Sequence, residues 1–239
     1  MADAGTVILS RQAGLLRELD TIAHNVANLD TAGFRRGGVV FSEHVSAGGP
    51  GGGSTSMAGL RARWHDLAPA EAKPTGAPLD VAIRGEGFLA VQTPDGIRLT
   101  RAGHLGLSDA GEIITPDGHP VLSADGASIA IPPDAGRITI AADGEISADG
   151  EQVERLGVFV AEPGTLDRAA GTMLAPRDGY RPADEPQVMQ GFLEGSNVDA
   201  VREIARMIEV QRGYELGRSL MDREHDRLMD VIDRLGRAV

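Results

Sequence analysis

Apolar side chains near the start of the chain fall at Ile8, Leu15, Leu19, Ile22, Val26 and Leu29. That is a seven-residue beat with three- and four-residue steps inside it, and it gathers these positions on one seam of a helix. The spacing predicts an amphipathic helix of about 20 residues. Its exit is marked by Asn28, Asp30, Thr31 and Gly33, where short polar side chains compete with the helical backbone and glycine tolerates positive φ. A longer stripe follows Gly195-Ser196-Asn197: Met207, Val210, Tyr214, Gly217, Met221, Glu224, Leu228, Val231 and Leu235 alternate at three and four residues, with only Gly217 and Glu224 breaking the apolar run. This predicts a coiled-coil seam about 30 residues long. Ser196 or Asn197 is placed to cap its start, and Arg227, Arg234 and Arg237 crowd its last turns, where the helix dipole favours cations.

Between these ends the grammar changes. Short runs such as Leu79–Ile83, Phe88–Val91, Ile113-Ile114, Ile129–Ile131, Arg137–Ile140 and Gly157–Val160 are punctuated by Asp-Gly at 95–96, 117–118, 125–126, 143–144, 149–150 and 178–179. Short β-type runs separated by recurring Asp-Gly predict antiparallel hairpins, hence an open or barrel-like β domain over 78–192. The stretch Ser46–Ser56, SAGGPGGGSTS, reads as a flexible joint that buries no core.

The expected class is therefore α+β. Residues 1–36 and 195–239 are expected to form a discontinuous, paired coiled-coil domain; 37–77 a Gly-rich linker or extended segment; and 78–194 the β-rich middle domain. Each narrow seam must be buried against something, and the simplest partner is the other helix. A two-helix hairpin carries little core of its own, so helices of neighbouring subunits are expected to complete it. The alternative is an ordinary α+β monomer with both helices packed on the sheet.

Composition narrows the function. With no cysteine, the chain lacks disulfides, thiolate metal sites and cysteine nucleophiles. The formal charge of −12 argues against nucleic acid and anionic lipid as partners. The excess is local: residues 37–198 carry 11 basic and 22 acidic side chains, whereas 1–36 carry four of each and 199–239 eight and nine. Balanced ends can approach other helices without net repulsion. No run reaches the roughly 20 apolar residues of a membrane span. Met1–Ser10 lacks the basic and apolar regions of a signal peptide, so export, if any, is expected to proceed without a cleaved leader.

Candidate chemistry is sparse. The six histidines form no H-E-x-x-H and no i, i+4 pair. The acidic turns at 143–145 and 149–151 lack the calcium-loop pattern. No G-x-S-x-G elbow is present. Gly85-Glu86-Gly87-Phe88-Leu89-Ala90 has dinucleotide-like spacing, but strand grammar continues where a helix would have to open, and Glu86 would repel pyrophosphate. A glycine-permitted bend accounts for it better. No catalytic residue, cofactor or metal ligand is assigned.

Three segments resemble the bacterial flagellar rod and hook family of axial proteins. They are Asn25-Val26-Ala27-Asn28-Leu29-Asp30-Thr31-Ala32-Gly33-Phe34-Arg35; Pro78–Phe88 followed by Thr100-Arg101-Ala102-Gly103; and Gly191-Phe192-Leu193-Glu194-Gly195-Ser196-Asn197-Val198 followed by Glu203, Ile208, Gln211-Arg212 and Tyr214-Glu215. His24 stands where the family usually has Asn. Length and the stretch Glu154–Phe159 with Pro163-Gly164 look most like the proximal-rod branch, with a distal-rod or hook paralogue as the alternative. The resemblance implies a structural subunit whose terminal helices pair into the inner coiled-coil layer of a helical tube that crosses the periplasm and transmits torque, with the β domain facing outward. It also implies export by the flagellar type III apparatus and other axial subunits as partners. The expected assembly residues are Leu15, Leu19, Ile22, Asn25, Val26, Asn28, Thr31, Gly33 and Phe34 at one end. At the other they are Asn197, Met207, Val210, Gln211, Arg212, Tyr214, Met221, Leu228, Val231 and Leu235. The rival from another class is a soluble β-rich enzyme or binding module with helical flanks.

Overall fold

The apolar seams form two long helices, α1 over Ala4–Ala27 and α2 over Ala200–Gly236. The computed structural model describes residues 4–46, 55–132, 134–162 and 164–236. The chain divides into two compact units, one of Met1–Ala27, Gly37–Trp64 and Asp199–Val239, the other of Asn28–Arg36 and His65–Val198.

In the helical unit, α1 leaves its last turn at the expected place, since Asn28 to Asp30 form a turn. The start of α2 differs from expectation. Asp199 caps it, its Oδ1 accepting from the Arg202 N–H at 3.0 Å while its carbonyl accepts from Glu203 N–H. Ser196 and Asn197 lie upstream and serve other contacts. The stretch expected as a Gly-rich linker or extended segment holds two strands, Gly37–Ser46 and Thr55–His65, paired as a two-stranded sheet. Val39-Val40-Phe41 supply β-formers that the adjacent glycine run obscures in the sequence. Most of that glycine run, 47–54, lies outside the described residues. Gly38 leaves room for Trp64, because a β-carbon there would sit 2.3 Å from the indole ring.

The β unit is antiparallel throughout. An open six-stranded sheet runs Leu166–Arg168, Leu174–Pro176, Gly96–Thr100, Phe88–Thr93, Val158–Val160, Arg181–Pro182. A three-stranded sheet orders Glu151–Arg155, Glu145–Ala148, Ile138–Ile140, and two small pairings close the far end of the chain onto its middle: Val188–Gln190 with Val81–Ile83, and Phe192–Glu194 with Ala72–Pro74. The Asp149-Gly150 turn, at φ 52° and 90°, joins Ala148 to its partner Glu151 in the two-residue geometry that suits strand twist. Gly85 and Gly87 bend the chain between Val81–Ile83 and Phe88–Thr93, and a strand follows where a dinucleotide site would need a helix. Leu, Ile and Val fill the core: Leu89, Val91, Ile113, Val121, Ile129 and Ile146 are all sealed from solvent.

Candidate functional site

In the β unit, the three signature segments converge on one carboxylate. Gly33 adopts φ +70° and its N–H donates to the Glu194 carbonyl at 2.8 Å. A β-carbon at 33 would lie 2.1 Å from the Ala102 backbone nitrogen, so only glycine lets the chain pass this close. Phe34 beyond it is buried, with the Arg168 guanidinium 4.7 Å from its ring centroid. Arg35 Nη2 then donates to Glu194 Oε1 at 2.7 Å, and Arg101 Nη1 to Glu194 Oε2 at 3.0 Å. Ala70 N–H is a third donor to the carboxylate, reaching Oε1 at 2.8 Å.

Arg101 also donates to the carbonyls of Ile83 and Gly85. Burial pulls its pKa below the ordinary guanidinium value, Glu194 opposes that pull, and neighbouring Arg35 adds to it. Arg35 and Arg101 thus share a single buried anion. Asn197 fastens the same segment: its Oδ1 accepts from Arg36 N–H at 2.7 Å and its Nδ2 donates to the carbonyls of Asp66 and Ala68. These groups form a structural clasp, because every charge at its centre is engaged by protein and buried.

In the helical unit, α1 and α2 run against each other, with Asn25 at one end of the contact. Its Oδ1 accepts from Gly37 N–H at 2.9 Å, and its Nδ2 donates to Gly37 carbonyl at 2.8 Å and to Glu203 Oε2 at 3.0 Å. Asn25 and Glu203 are 1% and 0% exposed. One amide therefore ties the strand that follows α1 to the first turn of α2. Farther along, Gln12 Nε2 donates to the Tyr214 carbonyl at 2.9 Å, and exposed Arg206 pairs with Glu18 at 2.6 Å.

The expected assembly residues divide by surroundings. Ile22, Asn25 and Val210 are buried, and Leu15, Leu19, Val26, Met207, Tyr214 and Met221 half-buried, on the faces that α1 and α2 turn toward one another. Asn28, Thr31, Gly33, Phe34 and Asn197 belong to the β unit, where Thr31 Oγ1 donates to Asn28 Oδ1 at 3.1 Å. Gln211 and Arg212 are exposed. The side chains of Leu228, Val231 and Leu235 lie outside the described residues.

A second apolar row was not singled out by the sequence pattern. Val201, Ile204, Ile208, Leu216 and Leu220 are 45–79% exposed. At about 100° per residue Val201, Ile208 and Leu216 lie on the side of α2 opposite Glu203, Val210, Tyr214 and Met221, with Ile204 and Leu220 on its two flanks. The signal was present as four-residue steps, Ile204 to Ile208 and Leu216 to Leu220, with Arg212 between them. On α1, Leu9 and Leu16, seven residues apart, are exposed as well. Among the described residues, no helix is long and apolar enough to cross a membrane, and no group of three or more His, Asp or Glu side chains is placed to hold a metal ion.

Comparison with known proteins matches three family descriptions in order along the chain. They are "Flagella basal body rod protein" over residues 7–35, "Flagellar hook protein FlgE/F/G D1 domain" over 82–148 and "Flagellar basal body rod FlgEFG protein C-terminal" over 189–234. The chain is 37% identical over 240 residues to the flagellar basal-body rod protein FlgF of Mesorhizobium japonicum, covering 99% of each. It is 36% identical to the FlgF of Rhizobium meliloti, covering 96% of each. It is 31% identical to the rod protein FlgG of Bacillus subtilis, over 90% of this chain and 92% of that one.

Proposed function

The chain belongs to the FlgE/F/G family of flagellar hook and basal-body rod proteins, as a FlgF-like structural rod subunit and not an enzyme, and from that premise we propose that α1 and α2 assemble with helices of neighbouring axial subunits into a coiled-coil layer of the rod. One observation carries this reading: the exposed row Val201, Ile204, Ile208, Leu216 and Leu220 on α2. The inner faces of the two helices are already occupied by each other. An apolar row of this length is costly to leave in water, and its four-residue ridge suits packing into the groove of another helix. A heterologous contact of that kind, repeated from copy to copy through a rotation that does not close, propagates into a helical tube.

On this reading, the residues predicted from the seams act in two tiers. Leu15, Leu19, Ile22, Val26, Met207, Val210, Tyr214 and Met221 hold the helix pair together, and the outer row with Gln211 and Arg212 meets the neighbours. The assembling helices lie within 1–36 and 195–239, of which 28–36 and 195–198 belong to the β unit, and 78–194 is the β-rich middle domain. The subunit is one of the proximal rod, crosses the periplasm as part of the torque-transmitting shaft, and is exported by the flagellar type III apparatus without a cleaved leader.

The test is deletion of the gene in its host, restoration with full-length protein or with versions lacking 1–36 or 199–239, and imaging of basal bodies by electron microscopy. Broken or missing rods rescued only by the full-length chain are expected. Intact, motile flagella in the deletion strain would overturn the assignment to an axial building block.

A further inference from the structure

Gln12 is a buried polar side chain on the inner face of α1, where the seven-residue pattern calls for nothing polar. Gly217 is one of the two breaks in the α2 stripe. The structure explains both together. A β-carbon built on Gly217 would lie 2.2 Å from Gln12 Nε2 and 3.1 Å from its Cδ, so the missing side chain is the notch that receives the amide. From inside that notch Nε2 donates to the Tyr214 carbonyl at 2.9 Å. Gln12 Oε1 finds no hydrogen-bond partner among the described residues. A buried amide with one end unmatched is a poorer way to fill a seam than leucine. A polar group at a single seam position instead fixes which part of one helix faces which part of the other.

We propose that Gln12 and Gly217 form a polar lock that pins the far ends of α1 and α2 in register. Asn25 and Glu203 hold the near end. Gln12 lies thirteen residues earlier, about 20 Å away along the helix axis, too far for the Asn25 contact to dictate its position. The half of the pair it governs carries Leu9 and Leu16 on α1 and Leu216 and Leu220 on α2, all exposed. By fixing the stagger of those four side chains, the lock presents one preformed surface to a neighbouring subunit. That purpose rests on the assembly reading above; the lock itself does not.

The chain has no cysteine, so spin labels go only where cysteines are introduced. A distal pair, Arg11→Cys with Asp222→Cys, and a proximal pair, Asp20→Cys with Arg212→Cys, all at exposed positions, report inter-helix distances in the full-length, unassembled protein by double electron–electron resonance. Gln12→Ala is expected to roughly double the width of the distal distribution and leave the proximal one unchanged. Gly217→Ala, which evicts the amide, is expected to act alike, and the double variant no worse than either single one. Gln12→Met, which keeps the length without the amide, covers the case in which alanine prevents folding. An unchanged distal distribution in a folded Gln12→Ala or Gln12→Met protein overturns the lock. Because the measurement involves no assembly, its failure is distinct from failure of the rod reading, which basal-body imaging decides.

Discussion

Arg35 and Glu194, 159 residues apart in the chain, meet at 2.7 Å with both side chains 2% exposed. Glu194 is the common ion-pair partner of Arg35 and Arg101, so its removal would leave two buried guanidiniums without the carboxylate that both of them hold. Breaking a buried pair from one side costs about 3–5 kcal/mol, a large part of a domain's stability. Glu194→Ala is expected to lose at least that much in a urea melt. Glu194→Gln retains acceptors and should fall between the two. A loss below about 1 kcal/mol for Glu194→Ala would place Glu194 among ordinary surface carboxylates.

Asn25 makes three hydrogen bonds that no other side chain of its size can reproduce, because it both accepts from and donates to Gly37 while also donating to Glu203. Asn25→Ala leaves buried groups unmatched and is expected to cost roughly 3 kcal/mol. Asn25→Asp is more informative. Its carboxylate keeps the bond from Gly37 N–H but cannot donate to the carbonyl and faces Glu203. Protonating the introduced carboxyl restores a donor and relieves the repulsion, so the deficit against wild type should be smaller at about pH 4 than at about pH 7. Thermal melts of both proteins at the two pH values decide it; an equal deficit at both would rule out repulsion as its cause.

The helices and the hairpin grammar were legible because each rests on local spacing. A 3.5-residue beat marks α1 and α2, and Asp149-Gly150 takes the positive φ its sequence calls for. The clasp was legible only in part. Arg35, Arg101 and Glu194 stand inside the family-like segments, yet composition treats all three as solvated charges, and nothing local says that residues 93 and 159 apart share a site. The capping role of Asp199 was missed because three capping-type residues, Ser196, Asn197 and Asp199, lie within four positions. Asn197 looked like a cap but is consumed by Arg36, Asp66 and Ala68. The boundary at residue 36 was drawn where the helical pattern fades. The backbone of 28–36 is instead bonded into the β unit through Gly33 and Asn197.

Arg206 and Glu18 make an ion pair between α1 and α2 at 2.6 Å, yet the arginine is 46% exposed. Glu18 is the main reason the Arg206 pKa is raised, but a guanidinium is charged at neutral pH in either state, so no pH dependence follows near neutrality. Screening and side-chain entropy leave exposed pairs little net worth. Arg206→Ala is expected to cost less than about 1 kcal/mol, with part of that vanishing in high salt. A loss above about 2 kcal/mol, insensitive to salt, would mean that the arginine stem packs against α1 more than its charge binds it.

The proposed docking of the outer row of α2 can be tested apart from folding. Ile208 and Leu216 are 45% and 68% exposed, so replacing them by Asp removes little buried apolar area within the subunit, and the melting temperature of Ile208→Asp or Leu216→Asp should stay close to wild type. In a packed rod, the same carboxylates would be driven into an apolar groove without a partner, which is strongly unfavourable. Val210, 3% exposed and facing α1, supplies the contrast, because Val210→Asp should unfold the helix pair and fail at both levels. Complementation of a deletion strain, scored by swimming and by rods in purified basal bodies, together with melts of the isolated proteins, distinguishes the two. Outer-row variants that melt normally but build no rods are expected. If Ile208→Asp and Leu216→Asp both restore full motility, the outer row is not the face that neighbouring subunits read.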